Sequence, residues 1–148
     1  MRALLFAIAV AVWTTAPTAP AVAEPPPPGF QVIVHRDNPL TSADRKLIAD
    51  LFLKRRTTWP DHEGVRPVDL ASESPVRQRF TTAVLGKTVP QVRSYWQQRI
   101  FTGRELPPLE LASDQDVVKF VTNNRGAIAY VSSDAGIGEA KALQIKGP

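Results

Sequence analysis

Cysteine is absent from the chain. This excludes a disulfide framework and a lipid-modified cysteine at a processing site. Only two histidines occur, His35 and His62. Neither stands in an H-x-x-x-H or H-E-x-x-H pattern, so no zinc site is expected. No G-x-S-x-G elbow surrounds any serine, and Gly136-Ile137-Gly138 lacks the lysine a phosphate loop requires. Glu105, Glu110, Asp114 and Asp116 fall in a proline-containing loop and at a helix start. Solvation and the helix dipole account for them better than acid–base chemistry. The expectation is a non-enzyme without metal or cofactor.

Charge of one sign is also scarce. The formal net charge is +4 over 148 residues, and the one basic run, Lys54-Arg55-Arg56, sits where a helix is expected to end and cations suit the dipole. Nucleic-acid binding, which wants a clustered basic face interleaved with aromatics, is not indicated. Apolar runs are short apart from the first. Residues 1–23 read as a secretory signal peptide, with Arg2, an apolar stretch over residues 3–13 and the small-x-small site Ala21-Val22-Ala23. Pro17 and Pro20 interrupt the stretch, which is too short for a membrane span of about 20 residues. The mature chain is expected to start at Glu24, to have no membrane span and to be periplasmic or secreted.

Proline is abundant, 14 in all, but seven precede the first expected helix. Residues 24–29 (E-P-P-P-P-G) read as a stiff extended linker; the whole chain is 43% hydrophobic, and residues 30–148 have the length of one globular domain. Within it, Phe30-Gln31-Val32-Ile33-Val34-His35 reads as a strand buried on both faces. Thr41-Ser42-Ala43-Asp44 fits a capping box, opening a helix with Leu47, Ile48, Leu51 and Phe52 on one face. A turn-rich loop through Trp59 leads to a strand over residues 65–70. Ser74 as N-cap and Pro75 at the first position open a second helix, which Gly86 ends. Thr88-Val89-Pro90-Gln91 caps a third, expected to pack on the second as a hairpin. Residues 101–109 read as a loop, Ser113-Asp114-Gln115-Asp116 caps a fourth helix, and residues 127–131 and 142–146 read as strands. The pattern predicts an α/β domain: a small mixed sheet flanked by about four helices.

The order of these phrases resembles a known family. Asn38-Pro39, the helix with Ile48-Ala49-Asp50-Leu51-Phe52-Leu53-Lys54, Trp59 with its turn, Ser74 six residues before Phe80, and Gly126-Ala127-Ile128-Ala129-Tyr130-Val131 are similar to phrases of phosphate-type periplasmic substrate-binding proteins. There they read N-P, I-F-x-G-K, W-x-D-G, S-G-T-x-x-x-F and P-G-A-I-G-Y-V. The resemblance implies one lobe of a type II periplasmic-binding-protein-like fold, whose complete receptors close two lobes on a ligand. It also places the anion cradle at Ser74-Pro75-Val76, where the family has S-G-T. Proline has no N–H to donate and valine no hydroxyl, so two contacts are lost.

Candidate ligand-binding residues are therefore Ser72, Ser74 and Arg77 at the start of the second helix, where hydroxyls, backbone N–H groups and a guanidinium would converge on an oxyanion. Thr41 and Ser42 join them if both turns lie at the carboxyl ends of strands. Capping is the favoured reading of Ser74, Thr41 and Ser42, with Arg77 then a surface arginine. The functional expectation is an exported binding domain, related to phosphate transport receptors, with weak or degenerate binding of a small anion such as phosphate. The alternative is a cell-envelope interaction module with a protein partner and no ligand.

Overall fold

The computed structural model describes residues 29–147. The expected leader, and all of the expected linker except Gly29, lie outside the described residues. Six strands form one mixed sheet: β1 Phe30–Val34, β2 Ser42–Asp44, β3 Arg66–Leu70, β4 Leu109–Leu111, β5 Ala127–Ser132 and β6 Lys141–Lys146. Their order across the sheet is β2-β6-β1-β5-β3-β4. The first strand therefore lies between the last two, antiparallel to both, with Val32 opposite Tyr130 on one side and Leu143 on the other. β3 runs parallel to β5 and to β4. The β-branched centre of β1 and the small or apolar residues of β5 suit these interior positions; every residue of 127–131 is buried.

Four helices accompany the sheet, α1 Arg45–Phe52, α2 Pro75–Phe80, α3 Val89–Phe101 and α4 Asp114–Asn123, and α1, α2 and α4 pack on its strands. α2 continues directly into a π-helical stretch, Thr81–Leu85, closed by Gly86 at φ +62°. That left-handed conformation is one glycine adopts without steric penalty. The core between helices and sheet is aromatic. Phe80 stacks on Tyr130 with centroids 3.9 Å apart, and Phe52 and Phe30 close on Phe80 at 4.7 and 5.5 Å. Each such ring contributes about 1.5–3 kcal/mol by leaving water.

Local caps fall where the sequence places them at Ser74, Thr88 with Gln91, and Ser113. Three expectations are corrected. The cap of α1 is Asp44, whose Oδ1 accepts from the Leu47 N–H at 2.6 Å. Thr41 and Ser42 precede the helix in extended backbone, because pairing with β6 takes them: the Thr41 carbonyl accepts from Gln144 N–H, and Ser42 lies opposite Gln144. Residues 109–111, at the end of the expected loop, form edge strand β4 on β3. Finally, α3 does not pack along α2 as a hairpin. Only Val92 and Trp96 of its thirteen residues are buried, too narrow a stripe to bind a helix along its length.

The turn before β3 is locked to β5 through Gly126. The Gly126 carbonyl accepts from Trp59 Nε1 at 3.0 Å and from Arg66 N–H at 2.9 Å. A Cβ at Gly126 would overlap the Gly64 carbonyl oxygen. Gly126→Ala is expected to destabilise the fold by about 1–3 kcal/mol, as overpacking does, lowering the urea midpoint; an unchanged midpoint would refute this account of the contact.

Candidate functional site

β3 is apolar except for Arg66 at its start and Asp69, which is buried between Val68 and Leu70. A buried carboxylate requires partners, and three elements supply them. Tyr130 of β5 donates its hydroxyl to Asp69 Oδ1 at 2.7 Å and accepts from the Leu70 N–H at 3.3 Å. Arg77 of α2 brings Nη2 to 3.6 Å from Asp69 Oδ2. Its Nη1 donates to the Leu70 carbonyl at 2.7 Å and to Glu110 Oε1 of β4 at 2.6 Å. Arg77 is thus neither a surface arginine nor a free anion receptor. It is 5% exposed and ties α2, β3 and β4 together. Glu110, expected to be solvated, is its half-exposed partner.

The electrostatics follow from burial. Desolvation pushes the Asp69 carboxyl above the ordinary carboxylate range, against the pull of the Arg77 charge and the Tyr130 hydrogen bond. For Arg77, desolvation opposes the charge, but Asp69 and Glu110 outweigh it and the pKa is raised. Burial, then the Asp69 charge, raises the Tyr130 hydroxyl as well, so it stays protonated as the donor.

Beside this network lies a recess of about 270 Å³, bordered by Asp69, Ser72, Arg77 and Glu110 on one side and by Arg93, Trp96 and Gln97 of α3 on the other. It opens beyond the carboxyl end of β3. Of the residues singled out from the sequence, Ser72 and Arg77 border it. Ser72 Oγ donates to the Glu73 carboxylate at 2.7 Å. Ser74 acts as the cap of α2, its Oγ accepting from the Arg77 N–H at a long 3.5 Å. Thr41 and Ser42 are not brought to the site. They belong to the β2 edge, with β6, β1 and β5 between them and β3.

Asp69, Tyr130, Arg93 and Trp96 are the site residues that sequence reading passes over. A signal existed for Asp69: a lone charge inside an apolar strand calls for a buried partner. Among the described residues no group of three or more His, Asp or Glu is placed to hold a metal ion. None of their helices is long and apolar enough to cross a membrane.

The sheet order and the flanking helices define a lobe-sized α/β architecture with a recess at a strand's carboxyl end. Comparison with solved structures shows where this fold recurs. An ABC-type phosphate transport receptor from Vibrio cholerae superposes with a TM-score of 0.61 at 20% identity, over 79% of this chain and 46% of that one. A phosphate ABC transporter substrate-binding protein from Clostridium perfringens, described as putative and solved with bound phosphate, gives 0.63 at 18% identity, over 80% and 44%. PstS from Borrelia burgdorferi gives 0.62 at 10% identity, over 80% and 47%. No family model matches the chain, and no curated protein matches it in sequence. The chain has the fold of phosphate-type substrate-binding proteins and spans a little under half the length of these structures. Those neighbours are transport and binding proteins rather than enzymes.

A pH prediction follows from Asp69. Its pKa is raised by folding, so its contribution to stability is full below the unfolded value of about 3.9 and is lost as pH rises through the folded value. Asp69→Asn stays neutral throughout. The urea midpoint of the variant, relative to the wild type, is expected to rise across that interval, and a pH-independent difference would contradict the assignment.

Proposed function

We propose that the chain is an exported, non-enzymatic binding domain that takes a small oxoanion such as phosphate, weakly, in the recess beside α2. The observation that carries this reading is that Ser72, Arg77 and Arg93 border one recess outside the carboxyl end of β3, the position where open α/β sheets bind ligands. Among the described residues Arg93 has no carboxylate within the 4.0 Å of an ion pair, so its charge is available. The solved neighbour with bound phosphate supports phosphate as the first ligand to test. The leader-like residues 1–23 support export to the periplasm or beyond.

Weakness follows from the same geometry. Arg77 is engaged by Leu70, Glu110 and Asp69, and the two carboxylates offset the two guanidiniums around the recess. A carboxylate repels a fully deprotonated anion and accepts a hydrogen bond from a protonated one. Phosphate, which keeps a proton at neutral pH, is therefore favoured over sulfate. Pro75 and Val76 supply neither an N–H nor a hydroxyl in place of the family's glycine and threonine. The neutralised state of Arg77 favours the second reading, an envelope interaction module that has lost its ligand.

Calorimetric titration with phosphate and sulfate separates the two. Saturable heat with phosphate, weaker or absent with sulfate, is expected, and Arg93→Ala should weaken phosphate by about tenfold or more, the loss of one charged hydrogen bond. No saturable heat with either ion would overturn the anion reading and leave the interaction module.

A further inference from the structure

The end of α3 closes like that of α1, where Lys54 at φ +51° donates its N–H to the Leu51 carbonyl and Arg55 N–H donates to the Asp50 carbonyl, but it leaves large apolar side chains exposed. It closes as a Schellman motif, with Gly103 N–H donating to the Ile100 carbonyl at 2.9 Å, Arg104 N–H to the Arg99 carbonyl at 3.1 Å, and Gly103 at φ +68°. Such ends ordinarily seal with an apolar contact between the two positions that Arg99 and Arg104 occupy here. Arginine stands at both, and the apolar side chains beside the turn face outward, whereas at the end of α1 Leu51, Phe52 and Leu53 are buried. Phe101 is 93% exposed and Leu106, just past the turn, 70%. Ile100 and Leu106 border a recess with Lys54 and Arg104. Tyr95 holds the helix in this position by donating its hydroxyl to the Leu53 carbonyl at 2.7 Å.

The cations exceed what helix capping requires. Arg99 lies over the Tyr95 ring at 5.3 Å, and Lys54, Arg99 and Arg104 form no ion pair with a carboxylate among the described residues. Glu105 is the one acidic residue bordering the same recess. The helix dipole rewards positive charge at a C-terminus, but it gives no reason to expose a phenylalanine and a leucine on either side of a tight turn.

We propose that this helix end docks on an anionic lipid bilayer surface. Phe101 and Leu106 enter the headgroup layer while Lys54, Arg99 and Arg104 meet its negative charge. Apolar side chains flanked by cations are the signature of interfacial association. The core of a protein interface is depleted of charged residues, whereas the exposed Phe101 and Leu106 stand among cations without carboxylate partners among the described residues, which suits an anionic headgroup layer. The contact is reversible and salt-sensitive, because its electrostatic part is screened. It is independent of whether the recess beside α2 holds an anion.

The test is co-sedimentation of the chain beginning at Glu24, which leaves out the apolar leader, with phosphatidylcholine vesicles made with or without phosphatidylglycerol. Binding is expected to the phosphatidylglycerol vesicles alone at low salt and to fall away at high salt. Phe101→Ala with Leu106→Ala, and separately Lys54→Glu with Arg104→Glu, should each weaken partitioning about tenfold or more. These changes are at the surface, and an unchanged circular dichroism spectrum and urea midpoint would verify the fold. No binding at low salt, or binding that survives both pairs of substitutions, overturns the proposal. So does a self-associated chain that becomes monomeric on Phe101→Ala, which would assign the surface to a second copy.

Discussion

The buried Asp69 carboxylate is the constraint around which half of the domain is arranged. A charge in the middle of a sheet cannot be left without partners. Satisfying it draws Tyr130 from β5, Arg77 from α2 and, through Arg77, Glu110 from β4. The start of α2 and the edge strand β4 are thereby held against β3. Phe80, one turn further along α2, lands flat on the Tyr130 ring, so the polar network and the aromatic core share a residue and position each other.

The same network governs the recess. A guanidinium facing a ligand site without partners would create a strong anion trap. Here two carboxylates and a backbone carbonyl hold it, giving a preorganised but nearly neutral wall. The residual positive character comes from Arg93 across the gap, on a helix that is only thinly attached to the core. Any affinity of the recess thus depends on how α3 sits, and α3 is fixed mainly by Val92, Trp96 and the Tyr95 bond to Leu53.

What was legible in the chain was local or periodic. Ser74-Pro75, Thr88 with Gln91, and Ser113 announce helix starts through side chains that reach only three residues ahead, and the structure has them there. The strands at residues 30–34 and 127–132 are long and apolar enough to be read directly. Features set by distant partners were not legible. Thr41 to Asp44 looks like a capping box but is drawn into a strand by β6, a hundred residues later, leaving Asp44 alone as the cap. Leu109 to Leu111 follows two prolines and becomes a strand only because β3 offers an edge. Arg77 has the spacing of an exposed helical residue, and its burial is decided by Asp69, eight positions earlier and on another element. Thr41 and Ser42 were grouped with Ser74 by chemistry, whereas the strand order separates them.

Both margins of the sheet, β2 and β4, are three residues long. An open margin of unpaired N–H and carbonyl groups is a template on which further chains can add, and short margins are one way natural sheets blunt that hazard. The four longer strands are all interior. A domain without disulfides passes, while it folds, through states with its margins uncovered. The brevity of these two strands limits how much of the sheet can seed aggregation while it does so.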